Sequence, residues 1–136
     1  MDIDHLRALL SGERREPIVV GAIHRPDLVR MIGAPEIYAV LLSRETIVKQ
    51  HRQHPDIGLD EYSIAPNVLR FGLVLWLPEW PRQLTFCYEE HSGLRYRLFV
   101  KSTTRGHQLY ITSFHRTRPR QTRALLARAK ILRNHA

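Results

Sequence analysis

The second half of this 136-residue chain reads as four strand-like runs, "FGLVLWL", "RQLTFCYEE", "LRYRLFVKST" and "HQLYITSFHR". They are separated only by "PEWP", "HSG" and "TRG", each carrying the Gly or Pro that a tight connection needs. Connections this short cannot carry a crossover, so consecutive strands are expected to pair antiparallel, as a meander. Side-chain alternation puts Tyr96, Leu98 and Val100 on one face, with Leu84, Phe86 and Tyr88 beside them as the expected core. Arg97, Phe99 and Lys101 then take the opposite face. In the last run the alternation gives two sides of mixed character. Leu109, Ile111, Ser113 and His115 share one, and Tyr110, Thr112, Phe114 and Arg116 share the other.

The first half is different in kind. "DIDHLRALLSG" predicts a short helix with Ile3, Leu6, Leu9 and Leu10 on one stripe and Gly12 at its end. "PIVVGAIH" and "PEIYAVLL" predict strands. Ser43 is placed to cap a helix over "RETIVKQHRQH", with Glu45 in its first turn, and Pro55 closes it. Asp60 is expected to cap a helix over "EYSIAPNVL". From Pro119 to Arg133 the stripe Leu125, Ala129 and Leu132 predicts a basic helix. The expected fold class is therefore α+β, with N-terminal helices packed on a four-stranded antiparallel meander and a basic C-terminal helix. One domain is expected. It has a helix and strand over 1–35, a helical part over 36–71, the sheet over 72–116 and the basic helix over 117–136.

The net charge is +8, and seven of the 21 Lys and Arg residues lie from Arg116 onward, where there is no acid. An asymmetry of this size points to a polyanion, nucleic acid first, against the plainer alternative of a solvated helix face. The tail has no Trp or Phe anchor, which argues against a membrane surface. Cys87 is the only cysteine, which excludes an internal disulfide and any cysteine-rich zinc site. The chain opens on "MDIDHLRALL" with no signal-peptide core, so a cytoplasmic location is expected.

Two groups of residues carry chemistry. In "KQHRQHPDIGLDEY", His51 and His54 are three apart and so neighbours on a helix. A zinc site needs at least a third ligand, and Arg52 between them opposes a metal, so no metal is assigned. What remains is a catalytic imidazole or a polar helix end. The second group is Lys101, Thr112, Ser113, His115 and Arg116 with Arg97, all on the last two predicted strands. An imidazole, a hydroxyl and two cations are the parts that metal-free RNA cleavage uses. A base takes the ribose 2′-hydroxyl proton, an acid protonates the leaving 5′-oxygen, and cations hold the phosphorane charge. No cofactor is implied, since no phosphate loop, dinucleotide fingerprint or GxSxG is present.

The runs "VLLSRETIVKQHRQHPDIGLDEYSIAPNVLRFG" and "YRLFVKSTTRGHQLYITSFHRTR" carry a pattern. A strand ends in "LS", a helix starts at Thr-Ile and ends at "HP", and an acid-then-Tyr step and "PxxL" follow. Later a "VK" strand pairs with one ending in a hydroxyl, an aromatic position and Arg. Over about residues 38–118 this resembles the phage-associated Barnase–EndoU–colicin–RelE-like nucleases. The resemblance implies a metal-independent endoribonuclease, often a toxin or phage-borne effector. By position it implies His54, Lys101, Ser113 and Arg116 as site residues. His115 stands where the family often has an aromatic residue, and it would share acid/base work with His54. His51, Arg97, Thr112, Arg118, Arg120 and Arg123 would contact the substrate, RNA, with tRNA among the candidates. The alternatives are a nucleic-acid-binding module without catalysis, and a domain whose basic helix docks an acidic antitoxin or immunity protein.

Overall fold

The computed structural model describes residues 1–133. Helix α1 (Ile3–Ser11) starts where the Asp2 carboxylate accepts the Asp4 and His5 N–H groups and ends at Gly12 in the left-handed region. It buries Leu6 and Leu9, while Ile3 is left exposed. Strand β1 (Ile18–Ala22), helix α2 (Pro26–Met31) and strand β2 (Ala39–Leu42) follow. Helix α3 (Arg44–Gln53) is capped by Ser43, whose Oγ accepts from the Thr46 N–H. The single helix expected over "EYSIAPNVL" is two, α4 (Leu59–Tyr62) and α5 (Ala65–Phe71). Pro66 lies in the first turn of α5, where its missing N–H costs nothing, whereas it could not sit inside one continuous helix without breaking a bond. Asp60 is not a cap: it lies in the first turn of α4, whose N-cap is Gly58.

Strands β3 (Leu73–Trp76), β4 (Gln83–Glu89), β5 (Arg95–Ser102) and β6 (Leu109–Arg116) come next, then helix α6 (Pro119–Leu126) and strand β7 (Lys130–Arg133). The expected four-stranded antiparallel meander is corrected here. The sheet has seven strands in the order β1-β2-β6-β5-β4-β3-β7, and it is mixed, because β2 runs parallel to β6. Helices are spread along the chain instead of preceding the strands. The expected C-terminal helix is also half strand. Its second part leaves the helix after Ala127 and pairs antiparallel with β3, Leu75 opposite Ile131 and Trp76 opposite Lys130. Ile131 and Leu132 suit a strand as well as a helix, and the unpaired edge of β3 decides between them.

Two cores result. The larger gathers Leu84, Phe86, Tyr96, Leu98, Val100, Leu109, Ile111 and Phe114 from the sheet against Leu6, Leu9, Leu28, Val29, Val68 and Leu69 from the helices. The smaller lies on the other face at β3 and β4, where Leu73, Leu75, Leu77 and Cys87 pack on Leu125 of α6. Burial pushes the Cys87 thiol up to about 11, so it stays protonated and inert. Among the described residues no helix is long and apolar enough to cross a membrane.

The pairing of β5 with β6 is irregular. Phe99 pairs with Ser113, but Val100 pairs with Ile111, so Thr112 is an extra residue bulged out of β6. The bulge reverses the alternation in mid-strand. Leu109 and Ile111 before it and Phe114 after it all face the large core. Ser113 and His115 are thereby turned to the face of Arg97 and Phe99.

Candidate functional site

Strand β2 is short, and its parallel pairing covers only Leu109 and Tyr110 of β6. The rest of that edge would be left with unpaired backbone groups. Helix α3 follows β2 directly and lies along this edge, bonding it with side chains. Thr46 Oγ1 donates to the Ile111 carbonyl (3.2 Å), Lys49 Nζ donates to the Thr112 carbonyl (2.6 Å), and the Phe114 N–H donates to Gln50 Oε1 (2.6 Å). Positions 46, 49 and 50 share one helix face, and 54 continues it. At that point the helix ends, with His54 as its C-cap and Pro55 next. The His54 ring stacks on His115 with centroids 4.7 Å apart and planes 13° apart.

His115 is held on three sides. The Arg97 guanidinium donates to its Nε2 from Nη2 and Nε at 3.3 and 3.4 Å. Ser113 Oγ lies 3.1 Å from its Nδ1, and Phe99 meets the ring edge-on. Arginine can only donate, so Nε2 accepts and the proton belongs on Nδ1, which donates to Ser113 Oγ. Ser113 in turn donates to Gln50 Oε1 at 3.4 Å, and Gln50 Nε2 donates to the Tyr62 hydroxyl at 2.9 Å. Burial first, and then the neighbouring Arg97 and His54, push the His115 imidazole down to about 4. It is therefore neutral at physiological pH with its lone pair already occupied. That suits it to hold His54 in place.

A group whose native pKa is depressed stabilises the fold fully above its unfolded pKa, and that stability is lost as pH falls through the folded value. For His115 the window runs from about 6.5 down to about 4. We expect acid to remove about 2 to 3 kcal/mol of folding free energy across it, less than the full linkage value of about 3.4 because solvent screens the half-buried ring. Urea titrations at stepped pH should show this slope, and His115→Gln should flatten it. An unchanged slope in the variant would assign the acid sensitivity elsewhere.

Arg116 bonds within the protein. The bulge leaves it on the side of Tyr96, where its guanidinium donates to Glu61 and lies 3.7 Å from Asp56. The Tyr96 hydroxyl donates to the same Glu61, and burial with that carboxylate pushes it up to about 12. Arg116 thus clamps the segment after His54 to the sheet. Lys101 is exposed on the Arg97 face, between Gln83 and Tyr110, and four residues along β5 put it roughly 13 Å from Arg97. Thr112 is the bulge itself. His51 lines a groove with Leu10, Arg44 and Tyr62, while His54 stacks on His115. Among the described residues no group of three His, Cys, Asp or Glu side chains could hold a metal. Arg118, Arg120 and Arg123 sit at the start of and along α6, with Arg120 exposed.

The sequence reading missed Gln50, Glu61 and Tyr62. Gln50 carried a signal: a polar residue three after Ile47 and four before His54, on the buried stripe of α3. The chain matches no protein-family model, no curated protein and no solved structure.

Proposed function

We propose that the protein is an endoribonuclease that cuts RNA without a metal, by attack of a ribose 2′-hydroxyl on the adjacent phosphorus. One observation carries this reading: His54, from the end of α3, stacks on His115, which Arg97 and Ser113 of β5 and β6 hold on a half-buried strip of the sheet. His54 accepts the 2′-hydroxyl proton as the 2′-oxygen bonds to phosphorus. The bond from phosphorus to the 5′-oxygen breaks, leaving a 2′,3′-cyclic phosphate and a 5′-hydroxyl. The proton returns to the 5′-oxygen from the same imidazolium or from water, because His115 is neutral. Arg97 carries the phosphorane charge through the N–H groups that His115 leaves free, and Lys101 and the arginines of α6 hold flanking phosphates. A role as a toxin or phage-borne effector, with an acidic protein as its antidote, belongs to the same reading.

The test is incubation of purified protein with mixed RNA in EDTA. Fragments ending in 2′,3′-cyclic phosphate are expected, and intact RNA under all conditions would overturn the proposal. Expression of the wild type should also slow cell growth, with relief by His54→Ala. A second reading, a nucleic-acid-binding module without catalysis, is favoured by the engagement of His115 and Arg116 with partners inside the protein. In that case RNA would bind with affinity falling steeply with salt but would not be cut.

A further inference from the structure

Residues at or next to the two outer strands of the sheet line one cavity beside α5. A cavity of about 540 Å³ is lined by His24 and Arg25 just after β1, by Pro66, Leu69 and Arg70 of α5, and by Arg133 of β7. That volume falls within the range of small-molecule sites, about 300–1,000 Å³. Two of its three guanidiniums already bond within the protein. Arg25 places Nε and Nη2 on the Asp27 carboxylate at 3.0 and 2.5 Å, leaving Nη1 unused. Arg133 places Nε and Nη2 on the carbonyls of Gly72 and Leu69 at 2.9 to 3.2 Å, again leaving Nη1. Among the described residues only Asp27 forms an ion pair with any of the four basic groups. The Arg133 guanidinium is held below its ordinary range by burial and by Arg25 nearby. Like charges kept together, pre-set by their other bonds, are costly unless an anion sits between them.

We infer that this cavity binds the terminal phosphate of a nucleotide, free or at the 5′ end of an RNA strand. The phosphate meets Arg25, Arg70 and Arg133, His24 adds a fourth donor, and Leu69 and Pro66 give the sugar or base an apolar floor. The volume exceeds what a phosphate needs by itself, which is why an organic phosphate is the assigned class. The site lies against α5, on the sheet face opposite His115, and does not rest on the cleavage proposal.

The test is calorimetric titration of the full chain with adenosine 5′-monophosphate and with adenosine. A 5′-phosphorylated and a 5′-hydroxyl hexauridylate form the second pair of probes. In at least one pair the phosphorylated member should bind tenfold or more tightly. The nucleotide pair giving the larger ratio identifies a free nucleotide, and the oligonucleotide pair identifies an RNA end. Arg25→Gln combined with Arg70→Gln should erase the ratio, while Arg105→Gln, on an exposed turn, should leave it intact. Arg133 also caps α5, so its variant is avoided, and the double variant is checked for an unchanged melting temperature. If it unfolds, His24→Gln with Arg70→Gln replaces it, since neither side chain hydrogen-bonds within the described fold and Arg70 only lies over the exposed Phe71 ring, 5.0 Å from its centroid. Equal binding with and without the phosphate, or an unchanged ratio in a folded double variant, overturns the assignment. Neither result depends on RNA being cut.

Discussion

His54→Ala should lower EDTA-resistant RNA cleavage by about 10²- to 10⁴-fold, the range lost when a positioned proton-transfer group is removed. The fold should tolerate it. His54 is half-buried at a helix C-cap, and only its backbone N–H bonds into the helix, to the Gln50 carbonyl. The contrast with His115 makes the experiment specific. His115 acts through His54, so His115→Gln should lower the rate less, chiefly in kcat, while moving the acid limb of stability. His54→Ala should leave that acid limb largely in place. If His54→Ala cleaves at the wild-type rate, His54 has no part in proton transfer. If His115→Gln instead abolishes cleavage and His54→Ala does not, the roles assigned to the stacked pair are reversed.

Gln50→Leu should be the most damaging single change in the site, at about 3 to 5 kcal/mol of stability. The Gln50 side chain is 1% exposed, and each of its polar atoms is used. Its Oε1 accepts from the Phe114 N–H and the Ser113 hydroxyl, and its Nε2 donates to the Tyr62 hydroxyl. Leucine fills similar space but strands a buried backbone N–H and leaves the Tyr62 hydroxyl without this partner. An unmet buried polar group costs about 1–3 kcal/mol. Urea unfolding gives the loss directly. A change below about 1 kcal/mol would mean that water or a shifted α3 replaces these bonds. Gln50→Glu tests the same point differently, since a carboxylate keeps both of the bonds that Oε1 accepts but cannot donate to Tyr62.

Local pattern made much of the fold legible. Ser43 caps α3, Pro55 follows its end, and the hairpins β3 to β6 connect where Gly and Pro said they would. Each of those features depends on residues within a few positions of one another. The errors in the sheet have a common origin in pairing at a distance, whereas the split of α4 from α5 at Pro66 is local. That β2 lies parallel to β6, and that β7 adds to β3, depends on which edges remain open once the hairpins form. No periodicity within "AVLL" or "KILR" encodes that. The two-sided pattern in "LYITSFHR" was real, but neither side was the core face throughout, because the bulge at Thr112 exchanges them.

By itself, then, the sequence determined the α+β class, the four central strands, the Gly12 end of α1, the Ser43 cap of α3, and a cationic chain with imidazoles near its strand and helix ends. These follow from short-range propensity and alternation, which a chain carries in its local order. The tertiary structure alone decided that His54 lies on His115, that Arg97 occupies the lone pair of that ring, and that Arg116 serves Glu61 and Asp56. It also decided that Gln50 ties helix to strand. The physical reason is the unsatisfied edge of β6: buried backbone groups must find partners, and α3 supplies them from residues some sixty positions away.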